Sequence, residues 1–105
     1  MHAYELPRRH SAAEGFFADW VAKARLARRL TEAEAPWPAW SMGECLAVAV
    51  ILDDEEELRS LSYTRAEAIE RLRYDLCLDT AQAEEAFRRM RLAVDQATPA
   101  RAEEG

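Results

Sequence analysis

The sequence predicts an all-α fold, a compact bundle of about four helices around a central buried helix over residues 41–61. Three observations point there. Capping boxes recur at Ser11–Glu14, Ser41–Glu44 and Thr64–Glu67, each putting a hydroxyl where it can accept from the third helical N–H while the carboxylate reaches back. Each box is followed by a stretch that fits helical packing. The chain, at 105 residues, half of them apolar, can bury one modest core and not two.

The first helix is expected to open at Ser11, with Phe16 or Phe17, Trp20, Ala24, Ala27 and Leu30 on its apolar face. Pro36 and Pro38 cannot continue it and stiffen a short linker, on which Trp37 and Trp40 read as lids over the end of the core. The third helix repeats the pattern with Ala66, Ile69, Leu72 and Leu76, and the fourth with Ala83, Ala86, Phe87, Met90 and Val94. Asp79 or Thr80 is the N-cap of that fourth helix, with Gln82 in position to complete a box from Asp79. The domain organisation expected is a flexible segment over 1–10, a single helical domain over 11–97 and a disordered acidic tail over 98–105.

The central stretch allows more than one reading. Cys45 to Leu52 is an unbroken apolar run of eight residues, far short of the roughly 20 that cross a bilayer. A buried strand competes, because Val48, Val50 and Ile51 are β-branched and a short apolar run has no decisive period. The capping box at Ser41 and the absence of a breaker between Gly43 and Leu61 favour a helix. Trp40, just ahead of the cap, can close over Cys45 as a hydrophobic staple. Five consecutive acids follow, Asp53, Asp54, Glu55, Glu56 and Glu57. In one continuous helix successive residues point about 100° apart, so all five cannot be buried. Like charges three and four apart repel, with Arg59 nearest to offset them. Such a cluster suits a surface that faces basic groups, in this fold or on a partner.

Charge is unevenly spread. The net charge is −6, and the deficit sits between Glu44 and Glu57 and in the tail. That argues against broad nucleic-acid binding, which needs basic groups to neutralise phosphates. Cys45 and Cys77 lie 32 residues apart without a C-x-x-C pair, and read as two buried thiols in a reducing compartment. The first ten residues lack the apolar stretch of a signal peptide, which gives a cytoplasmic expectation. No metal or cofactor motif is present, and no Ser or Cys has a recognisable base beside it.

Trp40-Ser-Met-Gly-Glu-Cys-Leu-Ala-Val-Ala-Val-Ile-Leu52, followed by Leu61-Ser-Tyr-Thr-Arg-Ala-Glu-Ala-Ile69, resembles small uncharacterised proteins of actinobacterial phages and related prophages. Their pattern reads W-S-[ST]-G-E-x-L-A-V-A-L-V-L and then G-Y-T-x-x-E-A. The resemblance covers about a third of the chain, which departs from the pattern at Met42, Cys45 and Ser62. It implies a phage or prophage accessory protein that acts on a host protein, and it brings no enzymatic activity with it.

Two functions follow. The first is a non-enzymatic protein–protein interaction module, a regulator contacting its partner through Asp53, Asp54, Glu55, Glu56, Glu57 and Trp37. The alternative is a helix-turn-helix DNA-binding regulator built from helices 64–76 and 80–96, with Gln82, Arg88, Arg89 and Arg91 as contacts. Glu84 and Glu85 stand against it, since carboxylates at the start of a recognition helix meet phosphates. A homodimer is a further option if a second copy covers Phe16, Phe17 and Trp20.

Overall fold

The computed structural model describes the backbone of residues 5–104 and the side chains of residues 14–96. Five helices follow one another: α1 (Glu5–Glu32), α2 (Met42–Leu52), α3 (Glu55–Ser60), α4 (Arg65–Leu76) and α5 (Thr80–Glu104). The fold is an all-α compact bundle, and no strand occurs among the described residues. None of the helices is long and apolar enough to cross a membrane, among the same residues.

α2 is the centre. The Ser41 hydroxyl accepts from the Glu44 N–H at 3.2 Å, and Glu44 accepts from the Ser41 N–H at 2.9 Å, so the box starts the helix as its sequence predicts. Residues 46–51 are then buried on every side, and a helix without a polar face has to be enclosed. α1, α4 and α5 pack around it, with α3 at its C-terminal end. Ala24 and Ala27 of α1 and Ala47 and Ala49 of α2 are fully buried, and small side chains such as these let helix axes approach. Larger residues fill the rest. Trp20 of α1 stacks on Phe87 of α5 with ring centroids 5.9 Å apart and planes 4° from parallel. Ile69, Leu72 and Leu76 enter from α4, and Ala83, Met90 and Val94 from α5. Fully burying side chains of the larger kind is worth about 1.5–3 kcal/mol each.

Several expectations are corrected. The central helix does not run from 41 to 61. It stops at Leu52, and α3 starts a new axis at Glu55. Asp53 adopts φ 56°, ψ 41°, and Asp54 caps α3 by accepting from the Glu57 N–H at 3.1 Å. The turn lets Leu58 reach the core, at 2% exposure. α1 starts at Glu5 rather than Ser11, because Pro7 falls in the first turn, where its missing N–H has no intrahelical acceptor anyway. Residues 5–10 are helical, and residues 1–4 lie outside the described residues. α5 runs to Glu104. In α4 it is Ala68, and not Ala66, that is buried.

One device ends four helices. Glu34, Asp53, Ser62 and Cys77 all have positive φ, between 56° and 68°. At each, this residue's N–H reaches the carbonyl three residues back, and the next N–H reaches the one five back. Ser62 to Arg59 and Tyr63 to Leu58 are both 3.0 Å, while Cys77 to Tyr74 and Leu78 to Arg73 are 3.1 and 3.0 Å. This is the Schellman arrangement, which normally uses glycine at the left-handed position. Here none of the four is glycine, which is why helix ends at Leu52 and Ser60 leave no mark in the sequence. The same turn carries Cys77 outward, so that thiol is exposed and Cys45 is half-buried. Neither is the fully buried thiol the sequence suggests.

Candidate functional site

The break at Asp53 redistributes the five acids. Asp53 turns toward arginines of its own fold, with its carboxylate 3.6 Å from Arg65 and 3.7 Å from Arg91. Asp54 is occupied as the α3 cap. Glu55, Glu56 and Glu57 form the first turn of α3, where negative charge is favoured by the helix dipole. This removes part of the repulsion that a position in the second half of a longer helix would impose. Among the described residues, however, none of these three glutamates is in an ion pair. The offset expected from Arg59 is absent from those pairs as well.

Trp37 meets the acids across a groove. The linker after α1 leads into the start of α2, and it borders with α3 an open groove of about 530 Å³. Pro36, Trp37 and Pro38 line one side, Asp54, Glu56 and Glu57 the other, with Cys45 between them. The Trp37 indole N–H donates to the Thr31 hydroxyl at 3.0 Å, so α1 fixes the side chain. Trp40 stands beside it, ring centroids 6.0 Å apart, and packs against the core. The Cys45 thiol donates to the Trp40 carbonyl at 3.8 Å, which ties the residue before the cap to the first turn of α2. Both tryptophans therefore cover the core edge, as lids, while Trp37 also borders open space.

Burial raises the pKa of the Glu57 carboxyl above the ordinary carboxylate value, and Asp54 and Glu56 add to the effect. Burial also raises the Cys45 thiol, with Glu57 and Glu44 contributing. A thiolate is disfavoured at that position, so the groove is poorly suited to a cysteine nucleophile. Asp53 and Glu55 do not line that groove but a neighbouring depression bordered by Arg28 and Leu52.

The residues of the DNA-binding alternative are differently placed. Gln82 completes a capping box, accepting from the Asp79 N–H at 2.9 Å while its own N–H reaches Asp79 at 2.8 Å. Arg88 forks onto Glu85 at 2.7 Å, and Arg89 lies over the Phe17 ring at 6.0 Å. Arg91 pairs with Asp95 at 3.2 Å and donates to the Ile51 carbonyl at 3.2 Å. Glu84 binds Arg65 at 3.0 Å. The surface there is a mosaic of both signs, built from contacts within the bundle. The stripe considered for a second copy is narrow: Trp20 is buried, Phe17 packs on the core, and Phe16 is 36% exposed.

Sequence reasoning put Trp37 and the acids in one partner-binding set without a geometry for it, and missed Cys45 as part of the groove. No local signal joins residue 37 to residue 57, because their sharing a groove depends on where the linker lies and on the axis changing at Asp53. Compared with known protein families, curated proteins and solved structures, the chain finds no match.

Proposed function

We propose that the protein is a non-enzymatic interaction module, a phage or prophage accessory protein that binds and modulates a host protein through the acidic surface of α3. The observation that carries this reading is the groove lined by Trp37 and by Glu56 and Glu57, which have no ion pair among the described residues. An aromatic anchor beside uncompensated charge supplies both parts of protein recognition: apolar area for affinity and charge for partner choice. The phage resemblance fits one further detail. Its pattern has glycine where this chain has Ser62, and φ 68° at that position is a conformation glycine favours. The helix-turn-helix reading has weaker support, since Gln82, Arg88, Arg89 and Arg91 are engaged in contacts within the chain.

The test is affinity purification of the tagged full chain from an actinobacterial host lysate treated with nuclease. A Glu55→Arg/Glu56→Arg variant runs in parallel; Asp54 is left intact because it caps α3. The expected result is a host protein retained by the natural chain and lost by the variant. Recovery that depends on nucleic acid, or that survives charge reversal, would sink the proposal.

A further inference from the structure

The groove is specific enough in its chemistry to name what enters it. Its two walls differ: Trp37 with its flanking prolines on one, Glu56 and Glu57 on the other. An acidic patch alone would attract any cation without selecting one. An apolar wall alone would take any small hydrophobe. Set across about 530 Å³ of open space, the two together select a side chain that is flat and weakly hydrated on its faces and cationic at its edge.

Glu57 makes the strongest demand. It is half-buried and lacks an ion pair among the described residues, and its neighbours Asp54 and Glu56 have the same sign. A half-buried carboxylate beside like charges is a group that a cation would relieve. The Trp37 side chain is already held by Thr31, so little ordering is needed when a ligand arrives. We propose that this groove receives an arginine side chain from a basic segment of the partner protein. The guanidinium packs against the Trp37 indole while its N–H groups donate to Glu56 and Glu57. Arginine fits better than lysine because its planar group stacks on an aromatic and donates in parallel to carboxylates, whereas an ammonium is a compact, strongly hydrated charge. This inference rests on the protein-binding reading given above and adds the residue type that the site recognises.

The experiment is an NMR titration of the full chain with the acetylated, amidated tripeptide Ala-Arg-Ala, with lysine and citrulline counterparts as controls. The reporter is the Trp37 indole N–H, assigned from a Trp37→Phe variant. A saturable shift is expected with arginine, at least threefold weaker binding with lysine, and no saturable shift with citrulline, which keeps the shape and loses the charge. Glu57→Gln and Glu56→Gln should each weaken the arginine peptide about threefold to fivefold, the scale of a partly exposed ion pair. Trp37→Ala, followed at backbone amides of α3, should weaken it about fivefold. An unmoved Trp37 resonance, or equal responses to arginine and citrulline or to arginine and lysine, overturns the proposal. Failure here beside a host protein captured through Glu55 and Glu56 removes the arginine site and leaves the protein-binding reading in place. An arginine response without such capture supports the site and removes the host-binding reading.

Discussion

The carboxylate of Asp53 lies 3.6 Å from the guanidinium of Arg65, which joins the residue that ends α2 to the first residue of α4. Asp53 is also the left-handed residue of the turn, at φ 56°. A left-handed conformation costs a non-glycine residue about 1–2 kcal/mol, and an exposed ion pair returns less than about 1 kcal/mol. Asp53→Gly should therefore be close to neutral in stability, while Asp53→Ala loses about 1 kcal/mol relative to it. Denaturant midpoints of the two variants check this. Equal midpoints would mean that the turn is not left-handed in solution.

Ser62 offers the same test without an ion pair. Its φ of 68° makes Ser62→Gly stabilising by up to about 1 kcal/mol, once the greater freedom of glycine in the unfolded chain is subtracted. Thermal unfolding should show a higher midpoint, and a lower one would contradict the geometry.

The burial of α2 predicts where the chain is least tolerant. Leu46 is fully buried and Leu92 is 47% exposed. Leu46→Ala should cost about 2–5 kcal/mol through lost transfer energy and the cavity left behind. Leu92→Ala should stay within about 0.5 kcal/mol. Equilibrium unfolding in urea separates them, and similar losses would mean that α2 is not central.

Glu57 gives a pH dependence of known sign. Its pKa is raised in the folded state, by burial first and then by Asp54 and Glu56, so the native protein holds that proton more tightly than the unfolded chain. Stability from this group therefore falls as pH rises from the ordinary carboxylate value through the raised one. At neutral pH the full penalty applies, and Glu57→Gln should melt higher than the natural chain. The gap should close as pH falls below the ordinary carboxylate range. A lower melting point for the variant at neutral pH would contradict the assigned direction.

The two thiols should react at different rates. Cys77 is exposed, whereas Cys45 is half-buried with its thiol pKa raised by burial, Glu57 and Glu44. A chromogenic disulfide reagent at mildly alkaline pH should release one equivalent quickly and a second slowly, and Cys77→Ser should abolish the fast phase. Loss of the slow phase instead would reverse the assignment.

Much of the fold was legible from local chemistry. The boxes at Ser41 and Thr64, and the cap shared by Asp79 and Gln82, act across three residues, so sequence spacing alone locates three helix starts. The eight-residue apolar run marked α2 as central because six consecutive buried side chains exclude a solvent-facing side. Trp20, Ala24 and Ala27 in α1 and Ala83, Phe87, Met90 and Val94 in α5 followed from helical period, whereas Val21 is buried without having been marked and Leu30 is only half-buried. Tertiary structure decided the helix ends and the candidate site. Ser11 has the form of a cap and lies inside α1, since nothing before it compels the chain to leave the helix. Asp53 is of a type that tolerates the left-handed conformation without compelling it. It nevertheless ends α2, where the Schellman bonds satisfy the last carbonyls, Leu58 gains burial, and arginines from α4 and α5 receive its carboxylate. A left-handed turn at a non-glycine residue is locally unfavourable and is chosen only when distant contacts outweigh its cost. The meeting of Trp37 with Glu56 and Glu57 follows from that choice, because a straight helix would have carried the glutamates along the α2 axis and away from the linker.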